Sequence, residues 1–260
     1  MAAPNVSFIG SGNLAWHLAP ALDNAGYAVK EVYSRDTKQG KELTRRLYQA
    51  ELKASLDFSE SPSSIFIIAV SDDAIEAVAR EIILPEQAIL VHTSGSQPVS
   101  VLGFSATPHT GVFYPLQTFS KIKKINFDEV PILLESETPE ATRALQKMAG
   151  SISKVVKSIS GDERRALHVA AVFASNFTNH LLTISHDLLK GNGLSLELLK
   201  PLIAETLNKG LTLGPENSQT GPARRGDFKV LESHLEFLKP YPALAGIYKL
   251  ISQHIIDRYS

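Results

Sequence analysis

The chain contains no cysteine. That excludes disulfide staples, thiolate nucleophiles and cysteine-ligated metals, and it is compatible with a reducing compartment. Neither sign of charge is in excess. With 26 Lys+Arg against 27 Asp+Glu the formal net charge is -1, so no global field draws the molecule to nucleic acid or to an anionic membrane. The one basic run, Lys121 to Lys124, is too short to be more than a solvated loop. No apolar run reaches the roughly 18 residues that a membrane-spanning helix needs. Lys and Arg are missing from the first 29 residues. A secretory signal would need a positive start, however, and Gly10, Gly12, Asn13, His17 and Asp23 interrupt any apolar core. A cytoplasmic location is expected. Metal-ligand patterning is absent as well: His180, His186 and His234 have no carboxylate partner at ligand spacing, so no metal is expected.

What is present is ordinary globular composition, 43% hydrophobic and 20% charged over 260 residues. "NVSFIG", "YAVKEVYS", "SIFIIAV", "QAILVHTS", "VPILLES" and "ISKVVKSIS" read as strands, and segments with helical spacing separate most of them. "SIFIIAV" shows no polar alternation, so both its faces are expected to be covered. Alternation of strand and helix to about residue 159 predicts a doubly wound, mostly parallel α/β sheet. From Gly161 onward four helical segments and no strand are expected, the first over roughly Asp162 to Lys190. The expected division is therefore a dinucleotide-binding Rossmann domain over 1–159 and an all-helical substrate and dimerisation domain over 160–260. The stretch Ala166 to Ala174 is apolar all round except for His168. Such a helix must be buried all round, and a domain of this size has little core to bury it in, so a second subunit is expected to cover it.

"GSGNLA" places Gly10-x-Gly12-x-x-Ala15 after a strand and at the opening of a helix, the context a dinucleotide loop requires. Gly10 permits the tight turn, Gly12 lets the backbone approach a pyrophosphate, and Ala15 lets the helix lie close to the sheet. Ser11, Asn13 and Leu14 complete the loop, whose free amides and helix dipole favour phosphate. The second strand ends in "YSRD". An NAD site usually has an acid there to accept from the ribose 2′-OH. Here Ser34 and Arg35 hold the tip, suited to a 2′-phosphate, and NADP is the expected cofactor. Glu31 lies too early in the strand, while Asp36 is the residue that could turn toward the ribose instead.

Together "FIGSGNLA", "YSRD", "AVSDDAI", "HTSG", "YPLQTF", "LHVAAVFASNF" and "TGPARRGDFKVLESHL" resemble one family across nearly the whole chain. Its members carry an N-terminal NADP-binding Rossmann domain and an all-helical C-terminal domain of unassigned function, and they are similar in architecture to pyrroline-5-carboxylate reductase and to the 6-phosphogluconate and β-hydroxyacid dehydrogenases. The resemblance implies an NADP-dependent oxidoreductase, a homodimer formed through the C-terminal helices and an active site between the two domains. It implies no substrate. The chain departs from the family at Tyr114, where His is common. The catalytic Lys–Asn spacing of the β-hydroxyacid dehydrogenases is also absent: the comparable helix carries His168 and Asn176, with no Lys before Lys190.

Reduction by NADPH needs a hydride donor facing the carbon and an acid at the heteroatom. The carboxyl edge of the sheet offers Val70 and Ser71 after one strand and Ser94 and Gly95 after the next, all expected to border the cofactor. His168 is the expected acid, with Asn176 lining the same cleft. In "TGPARRGD", Arg225 is assigned as a clamp for an anionic small-molecule substrate, and Asp227 as the cap of the next helix that orients Arg225. The competing reading is an NADP-binding sensor that keeps the fold without turnover, which would need no ordered polar groups around the nicotinamide.

Overall fold

A computed structural model describes residues 4–259. It falls into two compact units, residues 1–175 and 176–260. The first is an eight-stranded sheet of order β3-β2-β1-β4-β5-β6-β7-β8. Its strands are β1 (Val6–Ile9), β2 (Val29–Tyr33), β3 (Glu51–Lys53), β4 (Ile65–Ile68), β5 (Ile89–His92), β6 (His109–Pro115), β7 (Ile132–Ser136) and β8 (Val156–Ser158). Neighbours pair in parallel except β6 with β7, where Tyr114 faces Leu133. The mostly parallel, doubly wound sheet expected from the sequence is therefore the fold.

Helices α1 (Asn13–Asn24), α2 (Thr37–Thr44), α3 (Ile75–Glu81) and α4 (Pro139–Gly150) cover the sheet. Successive strand residues enter opposite cores. Val6, Phe8, Ile65 and Ile67 pack with Leu18, Leu22 and Met148 on one face. Ile9, Phe66 and Ile68 pack with Ile75, Ala79 and Leu102 on the other. Because both faces are buried, period-2 alternation has no polar phase, which is why "SIFIIAV" reads as continuous.

Helix α5 (Gly161–Ala171) opens on a capping box: the Ser160 hydroxyl accepts from the Glu163 amide and the Glu163 carboxylate accepts from the Ser160 amide. The helical run passes through a π-turn at Val172–Phe177 into α6 (Thr178–Gly191). The expected long helix is thus present in extent, but its middle is wound with one residue too many per turn. Regular α-helical spacing therefore does not relate Asn176 to His168.

The second unit continues with α7 (Lys200–Leu213), the short turns α8 (Pro215–Ser218) and α9 (Pro222–Arg225), α10 (Phe228–Phe237) and α11 (Pro242–Tyr259). It holds more segments than the four expected, because Pro215 and Pro222 start single turns of their own. It has little core. Among its described residues only Ala223, Leu231 and Leu238 are buried hydrophobics, while Leu198, Leu202, Leu211, Phe228 and Leu250 are more than half exposed. No residue of the apolar stretch Ala166–Ala174 is buried within the single chain either. Among the described residues no helix is long and apolar enough to cross a membrane.

Candidate active site

β1 lies between β2 and β4, so the crossovers leave it in opposite directions and a crevice opens at its carboxyl end. A cleft of about 590 Å³ occupies that point. Gly10, Ser11, Gly12, Asn13 and Leu14 form its floor, Ser34, Arg35 and Asp36 one wall, and Val70, Ser71 and Thr93 the other. Ala15 is fully buried where α1 meets the sheet.

The two loop glycines differ in kind. Gly10 has φ of +116°, and a Cβ there would lie 2.2 Å from the Ala69 carbonyl oxygen, so both conformation and space demand glycine. A Cβ on Gly12 would meet nothing within 4 Å, because it would project into the open cleft above the first turn of α1. No side chain caps that turn. Its amides are left for a ligand, which is the fit a pyrophosphate requires.

The tip of β2 decides between the two dinucleotides. The Asp36 carboxylate accepts from the amides of Lys38 and Gln39 at 3.0 and 3.1 Å and from the Gln39 side chain. These hydrogen bonds hold its pKa below the usual carboxylate range. Asp36 is the cap of α2 and is committed there. Glu31 is buried in β2 and accepts from Ser7 and Ser61, outside the cleft. Ser34 is also buried: its hydroxyl donates to the Asp36 carbonyl at 2.9 Å and accepts from Ser11 at 2.7 Å. In this arrangement its proton is committed to the Asp36 carbonyl, and Ser34, which also lines the cleft, links the glycine loop to β2. Arg35 is exposed on the cleft wall.

After β5 the chain turns through Ser94, Gly95 and Ser96. His92 is fully buried, and its Nδ1 accepts the Ser94 amide at 3.1 Å while Nε2 donates to the Pro98 carbonyl at 3.3 Å. Burial, with a smaller push from Arg164, lowers its pKa to about 4, so it is neutral at physiological pH. The Ser94 hydroxyl accepts from the amides of Ser96 and Gln97, and the Ser96 hydroxyl donates to Asp72. Arg164, 1% exposed, donates to the Ser94 carbonyl at 3.0 Å and pairs with Glu135 at 2.9 Å. Every polar group of Ser94 is thus held from within the protein.

Against this turn lies His168, on α5. Its Nδ1 is 2.9 Å from the Tyr114 hydroxyl, and the two rings meet edge to face with centroids 5.9 Å apart. A Cβ on Gly95 would fall 2.4 Å from His168 Nδ1 and 2.8 Å from Tyr114 Cζ. Gly95 is needed for space, and the turn it belongs to follows Thr93 on the cleft wall.

With this geometry in place the comparisons with known proteins are specific. Residues 5–95 match the family described as NADP oxidoreductase, coenzyme F420-dependent, and residues 130–255 match a domain of unknown function, DUF2520. The structure described as "putative NADP oxidoreductase BF3122 from Bacteroides fragilis" is 37% identical with a TM-score of 0.90, over 98% of each chain. The chain belongs to this NADP oxidoreductase family. Protein TM1727 from Thermotoga maritima is 24% identical with a TM-score of 0.75, over 97% of this chain and 99% of that one. An imine reductase from Myxococcus stipitatus, solved with NADP+, shares the fold at 16% identity and a TM-score of 0.67, over 98% of this chain and 99% of that one. No curated protein matches the chain. The cofactor expected from the sequence, NADP, is the one this family is described by.

Within the helical unit of this family member, the other expected site residues are Asn176 and Arg225, both exposed, and Asp227, partly buried. Asn176 is exposed in the π-turn. Asp227 caps α10, accepting from the Val230 amide at 3.4 Å, as expected. It forms no ion pair with Arg225 among the described residues, so the orienting role foreseen for it is not what the structure displays. The two arginines of "PARR" part company. Arg224 donates to the Tyr259 carbonyl at 3.1 Å and lies 4.8 Å over that ring, tying α9 to α11. Arg225 is exposed at the end of α9. Sequence reasoning missed Arg164, which is indistinguishable by pattern from its neighbour Arg165. It named Tyr114 only as a departure, because "TPHTGVFYP" carries a glycine and flanking prolines that hide the strand β6.

Proposed function

We propose that the protein is an NADPH-dependent reductase of a small polar carbonyl or imine compound. The observation that carries this is an imidazole held by Tyr114 against the Gly95 turn, two residues after Thr93 on the wall of a cleft whose glycine loop, helix start and exposed Arg35 suit NADPH. A sensor that merely bound the dinucleotide would need the cleft but not the imidazole. When bound, NADPH supplies the hydride to the substrate carbon. His168 gives a proton to the oxygen or nitrogen and regains it from water. Arg35 takes the 2′-phosphate. Arg225 is assigned to an anionic group of the substrate and acts in binding. The imine option draws on the reductase neighbour of the same fold.

The test is loss of NADPH absorbance against a panel of small keto acids and cyclic imines, with NADH as control. Turnover with NADPH and little with NADH is expected. Arg35→Ala should weaken NADPH by roughly 1.5–3 kcal/mol, the range of a hydrogen bond to a charged group, and leave NADH nearly untouched. Equal affinity of the unmodified protein for both cofactors would defeat the assignment.

The reading includes a homodimer through the helices after residue 161. Among its described residues the second unit buries three hydrophobic side chains, too few to hold a unit of 85 residues. Aligning the same apolar faces of two copies about a twofold axis would cover them. Light scattering at micromolar concentration should therefore give twice the chain mass. A particle of 28.3 kDa would refute it.

A further inference from the structure

We infer that Tyr114 is a positioning residue: its hydroxyl holds the Nδ1 edge of His168 inward, so that Nε2 is the nitrogen presented to substrate. This rests on the reading of His168 as the proton donor. Two contacts close the Nδ1 edge. One is the 2.9 Å hydrogen bond to Tyr114. The other is the Gly95 backbone, so close that even a methyl group there would stand 2.4 Å from Nδ1. No ligand atom can enter where a methyl group cannot. Among the described residues no hydrogen-bond partner is recorded for Nε2. Accessibility agrees: Tyr114 is 9% exposed, whereas His168 is half-buried. The tyrosine lies behind, and the imidazole lies between it and the outside.

A hydroxyl suits this task. Burial raises the Tyr114 pKa, with Asp72 adding to the rise and Arg164 opposing it, so the phenol stays neutral. Its oxygen accepts from Nδ1–H of the imidazolium and goes on accepting from Nδ1–H after Nε2 has given up its proton. It can therefore follow His168 through loss and regain of a proton at Nε2 without a change in its own charge. A carboxylate in its place would bring a charge of its own into the buried site. The remaining charges beside the pair are committed elsewhere, Arg164 to Glu135 and Asp72 to Ser96.

The experiment uses the full chain without cofactor. Nitrogen-15 spectra of the histidine side chains at neutral pH, with His168 assigned by comparison with His168→Gln, report which ring nitrogen carries the proton. In the wild type one neutral tautomer, protonated at Nδ1 with Nε2 open, is expected to dominate. Tyr114→Phe keeps the ring contact and loses only the hydroxyl, so both nitrogens should shift toward averaged positions. An unchanged His168 spectrum in that variant would overturn the proposal, because packing alone would then orient the ring. Thermal melting checks that the variant is folded. If it is not, Tyr114→His, which can also donate or accept, should retain the wild-type tautomer, and its loss in the folded variant would equally overturn the idea. With a substrate from the panel, Tyr114→Phe should lower kcat roughly 10–100-fold, the cost of removing the outer partner of an oriented imidazole, with little change in KM. A wild type that oxidises no NADPH with any panel member would sink the reductase reading, while the spectra would still decide the role of Tyr114.

Discussion

Replacing Arg164 with methionine should lower the unfolding free energy by roughly 3–5 kcal/mol, the cost of removing one partner of a buried ion pair. Methionine is shorter but close in volume and suits the burial, so the loss is not mainly one of packing. It lies in what is left behind. Arg164 makes two hydrogen bonds to the Glu135 carboxylate, at 3.1 and 2.9 Å, and one to the Ser94 carbonyl at 3.0 Å. Without it a carboxylate and a carbonyl remain in the interior with no donor. Glu135 is 23% exposed and can recruit some water, which places the expected loss toward the lower end. Adding Glu135→Leu should recover much of it, since an apolar pair of similar size often equals a buried ion pair. Urea unfolding of the single and double variants measures both. A single-variant loss within the scatter of surface substitutions, about 0.5 kcal/mol, would mean that water already serves these groups.

The same residue shows where sequence reasoning stops. The glycine loop was legible because it needs particular residues at fixed spacing: Gly10 for its φ, Gly12 for open space, Ala15 for close packing. The strands β1, β4 and β5 were legible because burial on both faces leaves unbroken apolar runs. Neither kind of signal exists for Arg164. Its partners Ser94 and Glu135 are 70 and 29 residues away, and nothing in "DERRALH" separates the arginine turned inward from the one turned to solvent. Tyr114 was hidden by a similar cause. β6 pairs in parallel with β5 on one side and antiparallel with β7 on the other, and it is fixed by those neighbours rather than by its own pattern. Asp36 was ambiguous from sequence because an acid at the end of a strand can serve a ribose or cap a helix. Two backbone amides decide for the cap. In "TGPARRGD" the charge beyond what capping needs has two explanations, since Arg224 ties α9 to α11 and only Arg225 is left for a ligand.

His168→Ala should lower kcat by about 10²–10⁴-fold, the usual contribution of a positioned acid, and leave the KM for NADPH nearly unchanged. The split follows from where the side chain acts. The glycine loop and Arg35, proposed to hold the phosphates, are not touched by the substitution. Proton donation is made only as the bond to hydride forms, so its loss appears in kcat. A residue that grips the substrate in ground and transition state alike, the role assigned to Arg225, would raise KM instead. Imidazole added to the alanine variant should restore part of the rate, because the substitution leaves room beside Gly95, where the ring was packed against the backbone. Glutamine at the same position fills that room and should not be rescued. A kcat for His168→Ala close to that of the wild type would move the proton donor elsewhere, and Asp72 with Ser96, hydrogen-bonded to each other between the segments that follow β4 and β5, would be the next pair to substitute.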